Sequence, residues 1–252
     1  MSYIPLGSRS PKLNNLVHKS NLLWEPTQVN RGKCKLRGFI VRAKSPVPPT
    51  NGPVVIYFQG NAGNMVHREP VFQRIIQAVP TVTIVAIHTS GYGNSQGKAT
   101  ERNLRADAYA IFRSVCERYP PVRHPIYLYG HSLGGALAID LAHRLTTTHS
   151  SPGIKSMVRG IVLENTFTNM LDMVGAVYPR WLPYYSLAKF CLWNHWSSVD
   201  RIQVIPVPIL FLSAAKDEIV PSWMMSQLSQ QAQQPQWVTF PHALHDSIYQ
   251  QP

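Results

Sequence analysis

"LYGHSLGGALAIDL", residues Leu128–Leu141, places a serine between two different hydrophobic rhythms. The run that leads into it, "IYLYG" (126–130), is aromatic and apolar without interruption and predicts a buried strand. The residues that follow put Leu133, Leu137, Leu141 and Leu145 on one face of a helix. Gly130-His131-Ser132-Leu133-Gly134 is therefore a G-x-S-x-G turn standing directly between strand and helix. Such a turn is strained, needs small residues so that strand and helix can crowd together, and leaves the serine Oγ exposed at the strand's carboxyl end. Ser132 is the candidate nucleophile, against the plainer reading of a small residue in a turn.

Around this unit, short apolar runs alternate with helical patterns. "VVIYF" (54–58), "VTIVAI" (82–87), "IYLYG" (126–130), "GIVLE" (160–164), "ILFLS" (209–213) and "WVTF" (237–240) read as strands, and helices are expected over 66–79, 101–118, 133–145 and 222–232. Because the apolar runs are continuous, they predict strands buried on both faces, hence a mostly parallel central sheet flanked by helices: an α/β fold. A pair of strands around "CKLRGFIVRA" is expected to add an antiparallel edge, and "KSPVPPTNGP" (44–53) reads as a Pro-rich turn. Residues 167–199 are aromatic, punctuated by prolines and longer than a crossover needs. They read as a cap inserted into a single domain spanning 1–252, whose Trp and Tyr residues either line an apolar substrate pocket or cover the sheet.

At 252 residues, with 44% hydrophobic and 14% charged side chains, the chain has the length and composition for one substantial core. Its net charge of +12 favours anionic lipid surfaces and acidic substrates. The Lys and Arg residues are scattered, so no specific nucleic-acid partner is expected. Cys34, Cys116 and Cys191 are far apart and lack metal-ligand spacing, which predicts reduced, buried thiols rather than metal ligands. There is neither an apolar run of membrane-spanning length nor a secretory h-region, so the chain is expected to be intracellular.

A serine hydroxyl needs a base, and the base needs a group to orient it. Asp217, in "LFLSAAKDEIVP", lies just beyond a strand, and His245, in "FPHALHDS", lies just beyond the last one. Loops at the carboxyl edge of a parallel sheet converge, so residues distant in sequence can meet there. Glu164 also ends a strand and is the alternative acid, with Asp200 and Glu218 as weaker ones; His242 is the alternative base. His242 and His245 lack a third residue for a metal site, and His131 reads as packing. For an oxyanion, the Leu133 backbone N–H is one donor. The second is expected from "YFQGNAGNM" (57–65): the main chain of Asn61, with Gly60 permitting close approach, although a Gly-rich turn without function would look alike. "GYGNSQG" (91–97) has G-x-G-x-x-x-G spacing, which fits neither a dinucleotide fingerprint nor a P-loop.

From about residue 36 to 250 the chain resembles the α/β-hydrolase superfamily, in the branch of the fungal bud-emergence-related hydrolases and animal alpha/beta-hydrolase-domain proteins. The resemblance rests on "YFQGNAGN", "GYGNSQG", "LYGHSLGGALAIDLA", "LENTFTNMLDMV" and "PILFLSAAKDEIVP". It implies a Ser132, Asp217, His245 triad that hydrolyses an acyl ester or thioester without a cofactor. Neighbouring branches remove palmitate from proteins or cleave lipid monoesters, and the basic surface and aromatic cap likewise favour a lipid-like or acylated substrate, with peripheral contact to anionic membranes expected. Four departures stand out. Gln59-Gly60-Asn61 replaces the usual His-Gly-Asn, Thr89-Ser90 replaces Tyr-Arg, and the N-terminal anchor and terminal helix common in relatives are not found. Gln59, the replaced Tyr-Arg and the short C-terminus support the second reading, a non-catalytic scaffold that binds an apolar ligand or a protein partner. A dehalogenase or epoxide hydrolase would call for a carboxylate at position 132.

Overall fold

The computed structural model describes residues 20–45, 51–148, 153–177 and 194–251. Its strands are β1 (Leu22–Arg31), β2 (Cys34–Ala43), β3 (Val54–Phe58), β4 (Thr83–Ile87), β5 (Ile126–His131), β6 (Val158–Glu164), β7 (Ile209–Ala214) and β8 (Pro235–Phe240). They form one sheet in the order β1-β2-β4-β3-β5-β6-β7-β8. β1, β2 and β4 pair antiparallel, giving the edge expected around "CKLRGFIVRA", and every other pairing is parallel. The order reverses beside β3 and β5, which bear the loops of interest at their carboxyl ends.

β3 shows why an uninterrupted apolar run is a central strand. Val54, Ile56 and Phe58 enter the core on one face, Val55 and Tyr57 the core on the other, and all five are buried. The helices are α1 (Glu69–Ala78), α2 (Glu101–Arg118), α3 (Leu133–Thr147), α4 (Ile154–Met157), α5 (Met170–Val177), α6 (Ser198–Ile202) and α7 (Ser222–Gln231). On one face α2 buries Leu104, Ala108, Ile111 and Val115 with Leu137, Leu141 and Leu145 of α3. On the other, α1 packs Val71, Phe72 and Ile76 against Trp24 and Tyr57. α3 lies against β3 almost backbone to backbone, since a Cβ on Gly134 would collide with the Phe58 carbonyl oxygen.

Two expectations need correction. The helix predicted over 66–79 is a short 3-10 turn, Met65–Arg68, followed by α1. Pro70 explains the reset: it lacks an N–H and fits the first turn of a helix but not the interior of one begun at residue 66. β8, at the end of the sheet, is not buried on both faces: Pro235–Thr239 are exposed, and Trp237 stacks on Phe211 at 6.0 Å yet stays 41% exposed. Of the expected cap, residues 178–193 lie outside the described residues, as does Cys191, while Phe167 and Trp196 at its flanks are buried in the main core. Cys34 and Cys116 are free thiols, and burial pushes the Cys116 thiol up to about 11. Among the described residues no helix is long and apolar enough to cross a membrane, and no group of three His, Cys, Asp or Glu could hold a metal.

Candidate active site

Ser132 sits between β5 and α3 with φ 52° and ψ −119°, a conformation that costs a non-glycine residue roughly 1–3 kcal/mol. Its backbone is secured on three sides. Ser132 N–H donates to the Glu164 carbonyl at 2.8 Å, and the Ser132 carbonyl accepts from Gly135 N–H at 2.9 Å and from Thr166 Oγ1 at 2.7 Å. The residue is half-buried, and its Oγ makes no hydrogen bond among the described residues. Leu133, the first residue of α3, directs its N–H out of the helix start, where no intrahelical acceptor exists.

Asp217 follows β7 and His245 follows β8, and the two side chains meet. His245 Nδ1 lies 2.8 Å from Asp217 Oδ2, and both side chains are buried. The other carboxylate oxygen, Oδ1, accepts from Ile219 N–H at 2.9 Å and Val220 N–H at 2.7 Å, a local turn that aims Oδ2 at the imidazole. The His245 backbone is tied as well: its N–H donates to Glu218 Oε2 at 3.0 Å, and its carbonyl accepts from Asn165 Nδ2 at 2.8 Å and lies 3.2 Å from His131 Nε2. The His131 and His245 rings are 4.8 Å apart, so the histidine loop rests on the residue that precedes Ser132.

The alternatives separate cleanly. Glu164 accepts two hydrogen bonds from Arg68 Nη2, at 2.7 and 2.8 Å, and one from Tyr129 Oη at 2.7 Å, and is committed to that buried cluster. Asp200 and His242 are exposed, and Glu218 meets His245 at its backbone rather than its ring. His131 does more than pack, since its Nε2 also lies 3.3 Å from Asp246 Oδ1. Burial, then Arg68, then His245 hold its imidazole well below the usual histidine range, so it is a neutral donor.

The loop after β3 runs beside the elbow. A Cβ added to Gly60 would stand 3.3 Å from Ser132 Cβ and 3.0 Å from His131 Nδ1, so this position has room for little more than glycine. Asn61 Oδ1 accepts from Tyr92 Oη at 2.7 Å. Gln59 Oε1 lies 2.9 Å from His88 Nδ1, and burial lowers His88 to about 4, so that ring is a neutral N–H donor. The unusual Gln59 therefore has a matched partner, and Tyr92, in "GYGNSQG", braces the loop that carries Asn61.

Sequence reasoning missed Arg68, Asn165 and Asp246. Asn165, at φ 47°, follows β6 and uses both ends of its amide: Oδ1 accepts from Ala214 N–H at 2.8 Å while Nδ2 holds the His245 carbonyl. Its position right after Glu164, in the family-like "ENTFTNMLDM", was the available signal. Arg68, in "MVHREP", carries no motif.

A family profile described as the alpha/beta hydrolase fold matches residues 53–191. The chain belongs to this family. Protein bem46 of Schizosaccharomyces pombe is 34% identical over 226 residues, covering 87% of this chain and 69% of the relative. The alpha/beta hydrolase domain-containing protein WAV2 of Arabidopsis thaliana is 33% identical, with 79% and 65% covered. The lysophosphatidylserine lipase ABHD12 of Danio rerio is 28% identical, with 79% and 55% covered. This α/β-hydrolase chain thus spans about half to two thirds of these relatives' length. Among solved structures, the esterase Pf2001 of Pyrococcus furiosus superposes with a TM-score of 0.67 at 16% identity, covering 98% of this chain and 89% of that one. An alpha-beta hydrolase from Vibrio vulnificus gives 0.73 at 16% identity, covering 94% and 80%. Both share its fold.

Proposed function

We propose that this α/β-hydrolase chain is a serine hydrolase that cleaves an acyl ester or thioester through a covalent acyl-enzyme. Ser132 Oγ attacks the acyl carbonyl, His245 accepts the hydroxyl proton and returns it to the leaving group, and Asp217 holds the imidazole in the tautomer with its proton on Nδ1. Leu133 and Asn61 N–H groups receive the oxyanion. Water then attacks the acyl-enzyme by the same route and frees Ser132. The observation that carries this reading is the 2.8 Å contact between His245 Nδ1 and Asp217 Oδ2 in a loop packed on the elbow. The substrate class is lipid-like or acylated: ABHD12 is named a lysophosphatidylserine lipase, and a net charge of +12 draws the chain to anionic surfaces, where peripheral contact suits such a substrate. The whole chain is one α/β-hydrolase domain, with 167–199 as its cap insertion.

The test is covalent labelling by a fluorophosphonate probe of wild type, Ser132→Ala and His245→Ala. Labelling of wild type and of neither variant is the expected result, with ester hydrolysis falling on the order of 10⁴-fold or more in Ser132→Ala. A folded wild type that takes no label would replace this reading with a scaffold that binds an apolar ligand or a protein partner.

A further inference from the structure

One guanidinium gathers the centre of the sheet and the histidine loop. Arg68 lies seven residues after Asn61, in the 3-10 turn that follows the Gly60–Gly63 loop. Its side chain is 9% exposed and each arm of the planar fork is used. Nε donates to Tyr57 Oη on β3 at 2.7 Å, and Nη2 to both oxygens of Glu164 on β6. Nη1 donates to Asp246 Oδ1 at 3.2 Å. Burial disfavours this charge, but the Glu164 carboxylate and the hydrogen bonds it accepts hold the guanidinium above its usual range, so the cation is permanent. Tyr57 and Glu164 belong to buried strands and cannot shift. Among the described residues Asp246 is the Arg68 partner outside the sheet, and it is the neighbour of His245.

We propose that Arg68 and Asp246 are positioning residues: a clamp that fixes the His245 loop to the sheet, with His131 as the bridge to the elbow. The rate effect rests on the reading of Ser132 and His245 given above; the fixing of the loop does not. Asp246 Oδ1 stands between Arg68 Nη1 and His131 Nε2, and the same His131 nitrogen lies 3.2 Å from the His245 carbonyl. Asp217 orients the ring, while the loop itself is held by Asn165, Glu218 and His131 at the His245 backbone and by Asp246 on its other side. A misplacement of about 1 Å between reacting groups can cost on the order of 10²-fold in rate, which is the error such a clamp prevents. Glu164, although it ends a strand like a catalytic acid, serves here as the counter-ion that keeps the clamp's cation in place.

Asp246 is the residue to change, because its side chain is 68% exposed and its removal does not empty the core. The full chain is compared as wild type, Asp246→Ala and Asp246→Asn, with p-nitrophenyl butyrate hydrolysis and amide deuterium exchange as readouts. In Asp246→Ala we expect kcat to fall on the order of tenfold with KM within about twofold. Exchange across 243–248 should quicken about tenfold while peptides from β3, β5 and β6 stay as they were. Asp246→Asn, which keeps an acceptor oxygen, should recover most of kcat. Unchanged exchange across 243–248 in Asp246→Ala overturns the clamp whatever kcat does. Faster exchange with kcat unmoved in an active background overturns its positioning role. A wild type that neither hydrolyses nor takes a fluorophosphonate defeats the catalytic reading instead, and exchange still decides the clamp.

Discussion

Glu164 and Asp217 are both buried acids beyond or at the carboxyl ends of neighbouring strands, β6 and β7, yet they hold opposite kinds of partner. Glu164 faces the Arg68 guanidinium and the Tyr129 hydroxyl, and none of its lone pairs is directed at a histidine. Asp217 gives one oxygen to two backbone N–H groups of its own turn and the other to His245 Nδ1. A carboxylate bound to a cation that never loses its proton stabilises a structure. One bound to an imidazole can stabilise a charge that comes and goes. Position at a strand end is common to both; what differs is the partner.

The largest effect should come from Asp217. Asp217→Asn preserves size but offers the wrong tautomer to His245, and kcat for ester hydrolysis should drop about 10⁴-fold with little loss of melting temperature. If instead kcat survives and Glu164→Gln abolishes it, the two roles are reversed. Glu164→Gln strands the Arg68 charge in the core, and breaking such a pair costs about 3–5 kcal/mol. Chemical denaturation should show that loss, together with a smaller one in Asp217→Asn.

The third prediction concerns two buried, neutral histidines, His88 and His131. Burial lowers His88 to about 4, and burial, Arg68 and His245 together lower His131. Unfolded, both take a proton near 6.5, so below that pH the unfolded chain binds more protons and stability falls. The contribution is complete above about 6.5 and for His88 is lost progressively toward pH 4, a loss of about 3 kcal/mol at 1.36 kcal/mol per unit. Melting temperature measured from pH 7 to pH 4 should decline over that window. His88→Asn, which keeps an N–H for Gln59 without a titratable ring, should flatten the decline.

The strands, the elbow and the Ser132, Asp217 and His245 candidates were legible because each is a local pattern: a buried run, a small-residue turn, a polar residue just past a strand. The edge character of β8 was not, since "WVTF" reads alike at the centre and the end of a sheet. Nor was Arg68, whose neighbours in sequence say nothing of Tyr57, Glu164 and Asp246. The Gln59 departure looked like a weakness until His88, 29 positions away, was found to complete it.

By itself the sequence determined the elements and their order, because hydrophobic period and turn chemistry act over a few residues at a time. Tertiary structure alone decided the partnerships. Arg68 reaches Glu164 across 96 positions and Asp246 across 178, and these distances close only once strands far apart in the chain lie side by side. Burial then makes the choice of partner decisive, since a charge removed from water must find its complement among the groups the fold brings within reach.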